Sequence, residues 1–204
     1  MEEARIPLTE AGWLASNDLT AMVDFLGDRL SDRKYRLFAC ACCRQVWTLI
    51  TDPRCRQAVE TAERFADGQA LKSELSAARL AASAAQAAVA DLEIAARNAH
   101  WAAAWAATAS SKIAAWAAHK NTERAEHPAL LREIAGNPFQ PLPPRRSWSS
   151  TILMLAESLY DGEQCNHALR IALEKAGEPD LAKHFRAGWH PRGCWALDVI
   201  LDRK

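Results

Sequence analysis

The sequence has no net charge, because 25 Lys and Arg balance 25 Asp and Glu. That balance removes the bulk attraction that draws a protein to nucleic acid or to an anionic membrane, and leaves only local patches. No segment alternates apolar and polar residues with a period of two, which argues against strands. The chain also lacks a glycine-rich phosphate loop, a serine elbow and a His-Glu-x-x-His helix. These absences exclude the best-marked nucleotide, acyl-transfer and zinc-protease chemistries. The start, Met1-Glu2-Glu3-Ala4-Arg5, has no apolar core of the kind a signal peptide needs. One tract is long enough to span a bilayer, but Arg97, Asn98, His100, Lys112 and His119 interrupt it, and alanine contributes little transfer energy. No membrane partner is therefore expected. Six cysteines without a secretory signal point to a reducing cytoplasm and free thiols.

What the chain does have is alanine. From Ala77 to Ala118 roughly half the residues are alanine, the strongest helix former because it loses no side-chain entropy on ordering. Ile94, Trp105 and Trp116 fall eleven residues apart, with Trp101 and Ile113 beside them at helical spacing. Eleven residues is close to three turns, so the five side chains line one stripe flanked by smooth alanine faces. The spacing predicts an almost wholly helical tract, with Trp101, Trp105 and Trp116 buried against another helix or a second chain. As a single rod from Leu71 to His127 it would measure on the order of 80 Å, too long for a compact domain of this size. Leu71, Leu75 and Val89 lie on a different face from the tryptophan stripe. A break is therefore expected at Asp91 or in the polar run Thr108 to Lys112.

Helix start and stop signals recur along the rest of the chain. Thr9, Asp18, Ser31 and Ser149 or Ser150 are placed to cap helices, and Asp52-Pro53 combines an N-cap carboxylate with proline at the first helical position. Gly68, Gly136, Gly162, Gly177 and Gly188 are placed to end them. The proline-rich stretch Asn137 to Trp148, with Arg145-Arg146, reads as an extended linker. The predicted fold is all-α, a multi-helix bundle with a long Ala-rich helical arm or hairpin. The expectation is one helical domain over 1–204: N-terminal helices at 1–68, the arm at 69–127, a short helix and linker at 128–148, and a C-terminal cluster at 149–204.

Candidate chemistry is sparse. Cys40 and Cys43 form a C-x-x-C, but it lies inside a helix rather than at the N-terminus that would stabilise a thiolate. Cys42 and Cys43 share the arc of Phe38, Val46 and Leu49, so they are read as core, with zinc binding aided by Cys55 as the alternative. Cys165, His167, His184, His190 and Cys194 form a second constellation. Cys165 lies on an apolar helix face and His167 points nearly the opposite way, so this set is also expected to be metal-free. His190 and Arg192 are read as groups that satisfy helix ends or an acidic neighbour, with a ligand site as the alternative. Glu60, Glu63 and Asp67 share a helix with Arg56 and Arg64 and read as a solvated face. Asp198 sits on the apolar arc of Cys194, Leu197 and Leu201, where a lone carboxylate is costly. Arg33 or Arg36 is expected to satisfy it through a planar guanidinium.

The strings Ser31-Asp32-Arg33-Lys34-Tyr35-Arg36-Leu37-Phe38-Ala39-Cys40-Ala41-Cys42-Cys43-Arg44, Gly136-Asn137-Pro138-Phe139 and Arg192-Gly193-Cys194-Trp195, with the Ala/Trp repeats, resemble an Ala/Trp-rich bacterial family abundant in planctomycetes. The resemblance spans nearly the whole chain. It implies a cytoplasmic module with an alanine-rich middle of variable length, and assigns no catalytic residue. The function expected from the residues is a non-enzymatic helical interaction or scaffold module without a cofactor. It would engage a protein partner or a second copy through Trp101, Trp105 and Trp116, with Arg33, Arg36, His190 and Arg192 as further contact candidates. A metal- or redox-responsive cysteine protein is the first alternative. Nucleic-acid or phospholigand binding through Arg29 to Arg56 is the second.

Overall fold

A computed structural model describes residues 8–85, 91–122, 124–140 and 146–203. Val89, Arg145 and the first five residues, on which expectations were placed above, lie outside the described residues. The fold is all-α, with twelve α-helices and no strand among the described residues. The chain divides into two compact units, Met1–Arg132 and Glu133–Lys204.

The N-terminal unit holds α1 (Glu10–Ala15), α2 (Leu19–Leu26), α3 (Asp32–Gln45), α4 (Pro53–Ala66), α5 (Lys72–Ala85), α6 (Ile94–Ala106) and α7 (Ser111–Thr122). Their starts follow local chemistry. Thr9, Asp18, Ser31 and Asp52 each accept a bond from a backbone N–H of the first turn, and Pro53 supplies the helical φ after Asp52. α3 packs on α4 and α7, α4 also on α5, and α6 on α7. Cys40, Cys42, Cys43 and Cys55 are buried in this core with Phe38 and Val59.

The alanine tract, expected to break once, is interrupted at both candidate places. Asp91 lies in a turn before α6, and residues 107–110 separate α6 from α7. The burial of the tryptophans needs correction, because the alanines face inward instead. Ala102, Ala103, Ala106, Ala114 and Ala118 are fully buried, while Trp101 is 43% and Trp116 57% exposed, Ile94 and Ile113 are exposed, and Trp105 is only partly covered. Helices that meet through single-carbon side chains approach closely, and an indole would overfill such a seam.

Arginines anticipated as contact residues have partners inside this unit. Arg36 is buried, donating to the carbonyls of Ala106, Thr108 and Ala109 at 3.0, 2.7 and 3.1 Å. Arg33 pairs with Asp67 and Arg44 with Glu63, so two of the three carboxylates read as a solvated face are largely buried interhelical partners, while Glu60 is exposed. The reason is geometric: a helix face that looks polar in isolation can still meet cations from the neighbouring helix.

α8 (His127–Ala135) spans the boundary between the units. The C-terminal unit adds α9 (Ser150–Tyr160), α10 (Asn166–Lys175), α11 (Pro179–His184) and α12 (Trp195–Leu201). Ser149 caps α9, and Gly162 and Gly177 end α9 and α10 with positive φ. α9 packs on α10 and α12, and α10 on α11. Their core joins Ile152, Leu159, Leu169, Leu173, Phe185, Cys194 and Leu197. Asp198 is buried in this unit, as its place on an apolar arc requires. No helix is long and apolar enough to cross a membrane among the described residues.

Candidate metal centre

Four side chains of metal-binding type converge in the C-terminal unit. One atom each from Glu133, His184, His190 and Cys194 lies within 4.8 Å of every other. Local structure explains their positions. Glu133 is in the last turn of α8, near Leu131 and Ile134, which are fully buried. His184 is the final residue of α11, and Cys194 is the residue before α12, whose start it occupies without any side-chain capping bond. His190 lies between them, buried with its ring 5.1 Å from that of Phe185.

Glu133 is the hub. Its Oε1 lies 2.9 Å from His184 Nε2 and 2.7 Å from His190 Nδ1. His184 Nε2 is 3.0 Å from Cys194 Sγ, and that sulfur is 3.8 Å from His190 Nδ1. A tetrahedral ion with bonds of about 2.0–2.3 Å separates its ligands by about 3.3–3.6 Å. The four contacts straddle that range, so modest rotamer shifts would place all four atoms around one ion.

Burial works to raise the Glu133 carboxyl, but hydrogen bonds from His184 and His190 outweigh it and draw it down to about 2. Burial pushes the Cys194 thiol well above its usual range, and the Glu133 carboxylate adds to that rise. The cluster thus holds one firm anion beside a thiol whose ionisation burial opposes. His190 Nε2 is buried without a hydrogen-bond partner. The surrounding shell is aromatic. His184 meets Phe185 and Trp195 edge-on, with ring centroids 5.2 and 5.0 Å apart. Gly136, at φ +74°, lets Trp195 approach, because a Cβ there would sit 3.2 Å from Trp195 Cγ. The strings Gly136-Asn137-Pro138-Phe139 and Arg192-Gly193-Cys194-Trp195 therefore meet beside this cluster.

The other candidates fall elsewhere. Arg192 pairs with Asp161 at 2.7 Å and lies over Tyr160, and His190 meets Glu133, so both have the acidic neighbours expected of them. Cys165 Sγ lies 3.1 Å from the Leu155 carbonyl, and His167 is exposed beside Arg170. The expectation of a metal-free constellation rested on those two, and the convergence of the other three with Glu133 reopens it. Glu133, 51 positions before His184, was missed. Its signal was a carboxylate set among Leu130, Leu131 and Ile134. Cys40 and Cys55 are turned toward the carbonyls of Val59 and Ala82, both 3.8 Å away, and burial raises the thiols of Cys40, Cys42, Cys43 and Cys55. All six cysteines are free.

No known protein family, curated protein or solved structure matches the chain.

Proposed function

We propose that this chain is a metal-binding helical protein that holds one divalent ion of the zinc class on Glu133, His184, His190 and Cys194. The observation that carries the reading is the mutual approach of the four ligand atoms within 4.8 Å. Two imidazoles and a thiolate favour zinc and its borderline neighbours over magnesium or calcium, which take oxygen ligands. Charge agrees. A carboxylate and a thiolate cancel a dication, so the buried site is neutral when loaded, which avoids the cost of an unpaired interior charge. Four protein ligands fill a tetrahedron and leave no open position for substrate. This supports a structural, non-enzymatic role. The six free thiols fit a reducing compartment such as the cytoplasm.

The test is metal analysis of protein purified without chelator, followed by replacement with cobalt(II). One ion per chain is expected, with a tetrahedral cobalt spectrum that includes a thiolate charge-transfer band. Cys194→Ser should abolish that band and His190→Ala should weaken binding. Protein that carries no zinc and gives no cobalt spectrum would overturn the reading.

A second reading concerns the N-terminal unit and is compatible with the first. Ile94 and Trp101 on α6, and Ile113 and Trp116 on α7, are exposed. Large apolar side chains left in water on an otherwise alanine-sealed pair favour a protein interaction surface. Light scattering on the parent and on Trp101→Gln/Trp116→Gln tests self-association. A nucleic-acid role has less support, since Arg33, Arg36, Arg44 and Arg54 are all held by carboxylates or carbonyls.

A further inference from the structure

Three of the four ligands lie within the eleven residues His184 to Cys194, at the spacing His-x5-His-x3-Cys. That stretch joins two of the shortest helices in the chain, six residues in α11 and seven in α12. Helices of this length do not persist alone in water, because nucleation fixes several residues before any propagation repays it. Turn bonds from Arg186 N–H to the Lys183 carbonyl and from Cys194 N–H to the Pro191 carbonyl tie the ends of the connection. Asn166 adds a side-chain bond to the Ala187 carbonyl. Phe185, Cys194 and Leu197 insert into the core of the unit from either side of it. The candidate ion sits at the joint of these insertions.

We propose that metal occupancy decides whether the segment from α11 through α12 is ordered, so that the C-terminal unit completes its fold only when loaded. The proposal rests on the metal reading above and specifies how that same site is regulated. An ion on His184, His190 and Cys194 closes two short loops, of five and three intervening residues, at small entropic cost. Its bond to Glu133 closes a loop of fifty intervening residues and ties the end of the unit to its beginning. Such a cross-link withdraws far more freedom from the unfolded chain than from the folded one, so binding energy becomes folding energy. The absence of a side-chain cap on α12 fits this arrangement, since a ligand bond at Cys194 would fix the residue that starts the helix. Without the ion, a half-buried carboxylate, two imidazoles and a thiol must satisfy one another. That combination penalises closure.

The experiment is hydrogen exchange by mass spectrometry on the full chain, stripped of metal and then reloaded with zinc, with cobalt spectra taken on the same preparation. In the stripped protein, peptides covering 181–201 should lose protection by about tenfold or more, while those from α3 and α4 remain protected. Added zinc should restore the difference. Glu133→Gln, which preserves size, should shift recovery to higher zinc concentration. If cobalt shows the thiolate band but exchange over 181–201 is the same with and without metal, the ordering role is overturned and the metal centre stands. If no cobalt spectrum appears, the metal reading itself fails and takes this inference with it.

Discussion

His119 and His127 meet inside the N-terminal unit through their Nδ1 atoms, 2.8 Å apart, and both rings are buried. One of the two must donate and the other accept, so the pair requires at least one neutral imidazole. Burial, followed by the nearby His119, lowers the His127 imidazole to about 4. Unfolded, the same group titrates near ~6.5. As pH falls below that value the unfolded chain takes up a proton that the folded chain refuses. Stability should therefore decline from about pH 6.5 to about pH 4, by ~3 kcal/mol in total, and then level off for this group. Denaturant midpoints across that range, with the His127 ring followed by NMR, test the expectation. A His127 ring that titrates near 6.5 in the folded protein would refute it.

Trp101 and Trp116, although large, should be cheap to remove. Each is more than two-fifths exposed, so truncation to alanine is expected to cost under ~1 kcal/mol in the monomer. The alanines beneath should be the sensitive positions. Ala103→Leu or Ala114→Leu forces extra carbons into a closed seam and should cost about 1–3 kcal/mol or more. Urea unfolding of the four variants orders them. The reverse order would show that the indoles, not the alanines, form the interior.

The alanine tract shows how much of this fold was legible in the sequence. Composition identified the helices, and Asp91 and the run from Thr108 marked the turns, because these are local signals. Which face turned inward was not legible. A stripe of tryptophans looks like the more hydrophobic side, yet close axial approach selects the smallest side chains. The candidate centre was half legible for a similar reason. His184, His190 and Cys194 stand close in sequence, but Glu133 comes from another helix, and only tertiary packing shows that it belongs with them. Cys165 and His167 stand nearby in sequence but fall outside the set that converges.

Gly136 is expected to act on the proposed metal centre without touching it. A methyl group there would meet Trp195 Cγ at 3.2 Å, in a backbone conformation at φ +74° that alanine resists. Gly136→Ala should displace the indole from His184 and weaken zinc by about 10–100-fold, the range typical of lost outer-shell support. Competition against a chromophoric chelator measures it, and unchanged affinity would show that Trp195 does not position His184.

Tyr35 donates to the Gly27 carbonyl at 2.8 Å, and burial, then the charges of Asp28 and Asp24, push its hydroxyl up to about 12. Tyr35→Phe should cost about 1–2 kcal/mol, since the hydroxyl is removed while a partly buried carbonyl loses its donor. Because the folded group resists ionisation, the parent should also lose stability as pH rises above ~10, and the variant should lose less. Alkaline unfolding curves of the two proteins separate them.

The contacts of Arg36 have a consequence for how the α6–α7 hairpin moves. A seam of alanine on alanine has no knobs to set the longitudinal position of one helix against the next, so sliding by a turn, about 5.4 Å, changes its packing little. Arg36 grips the carbonyls of Ala106, Thr108 and Ala109 at the bend, and with the Ser111 hydroxyl donating to Asp32 beside it this grip distinguishes one register from its neighbours. Its loss would then multiply conformations rather than melt the hairpin: helicity would persist while the methyl resonances of the seam split into several exchanging sets.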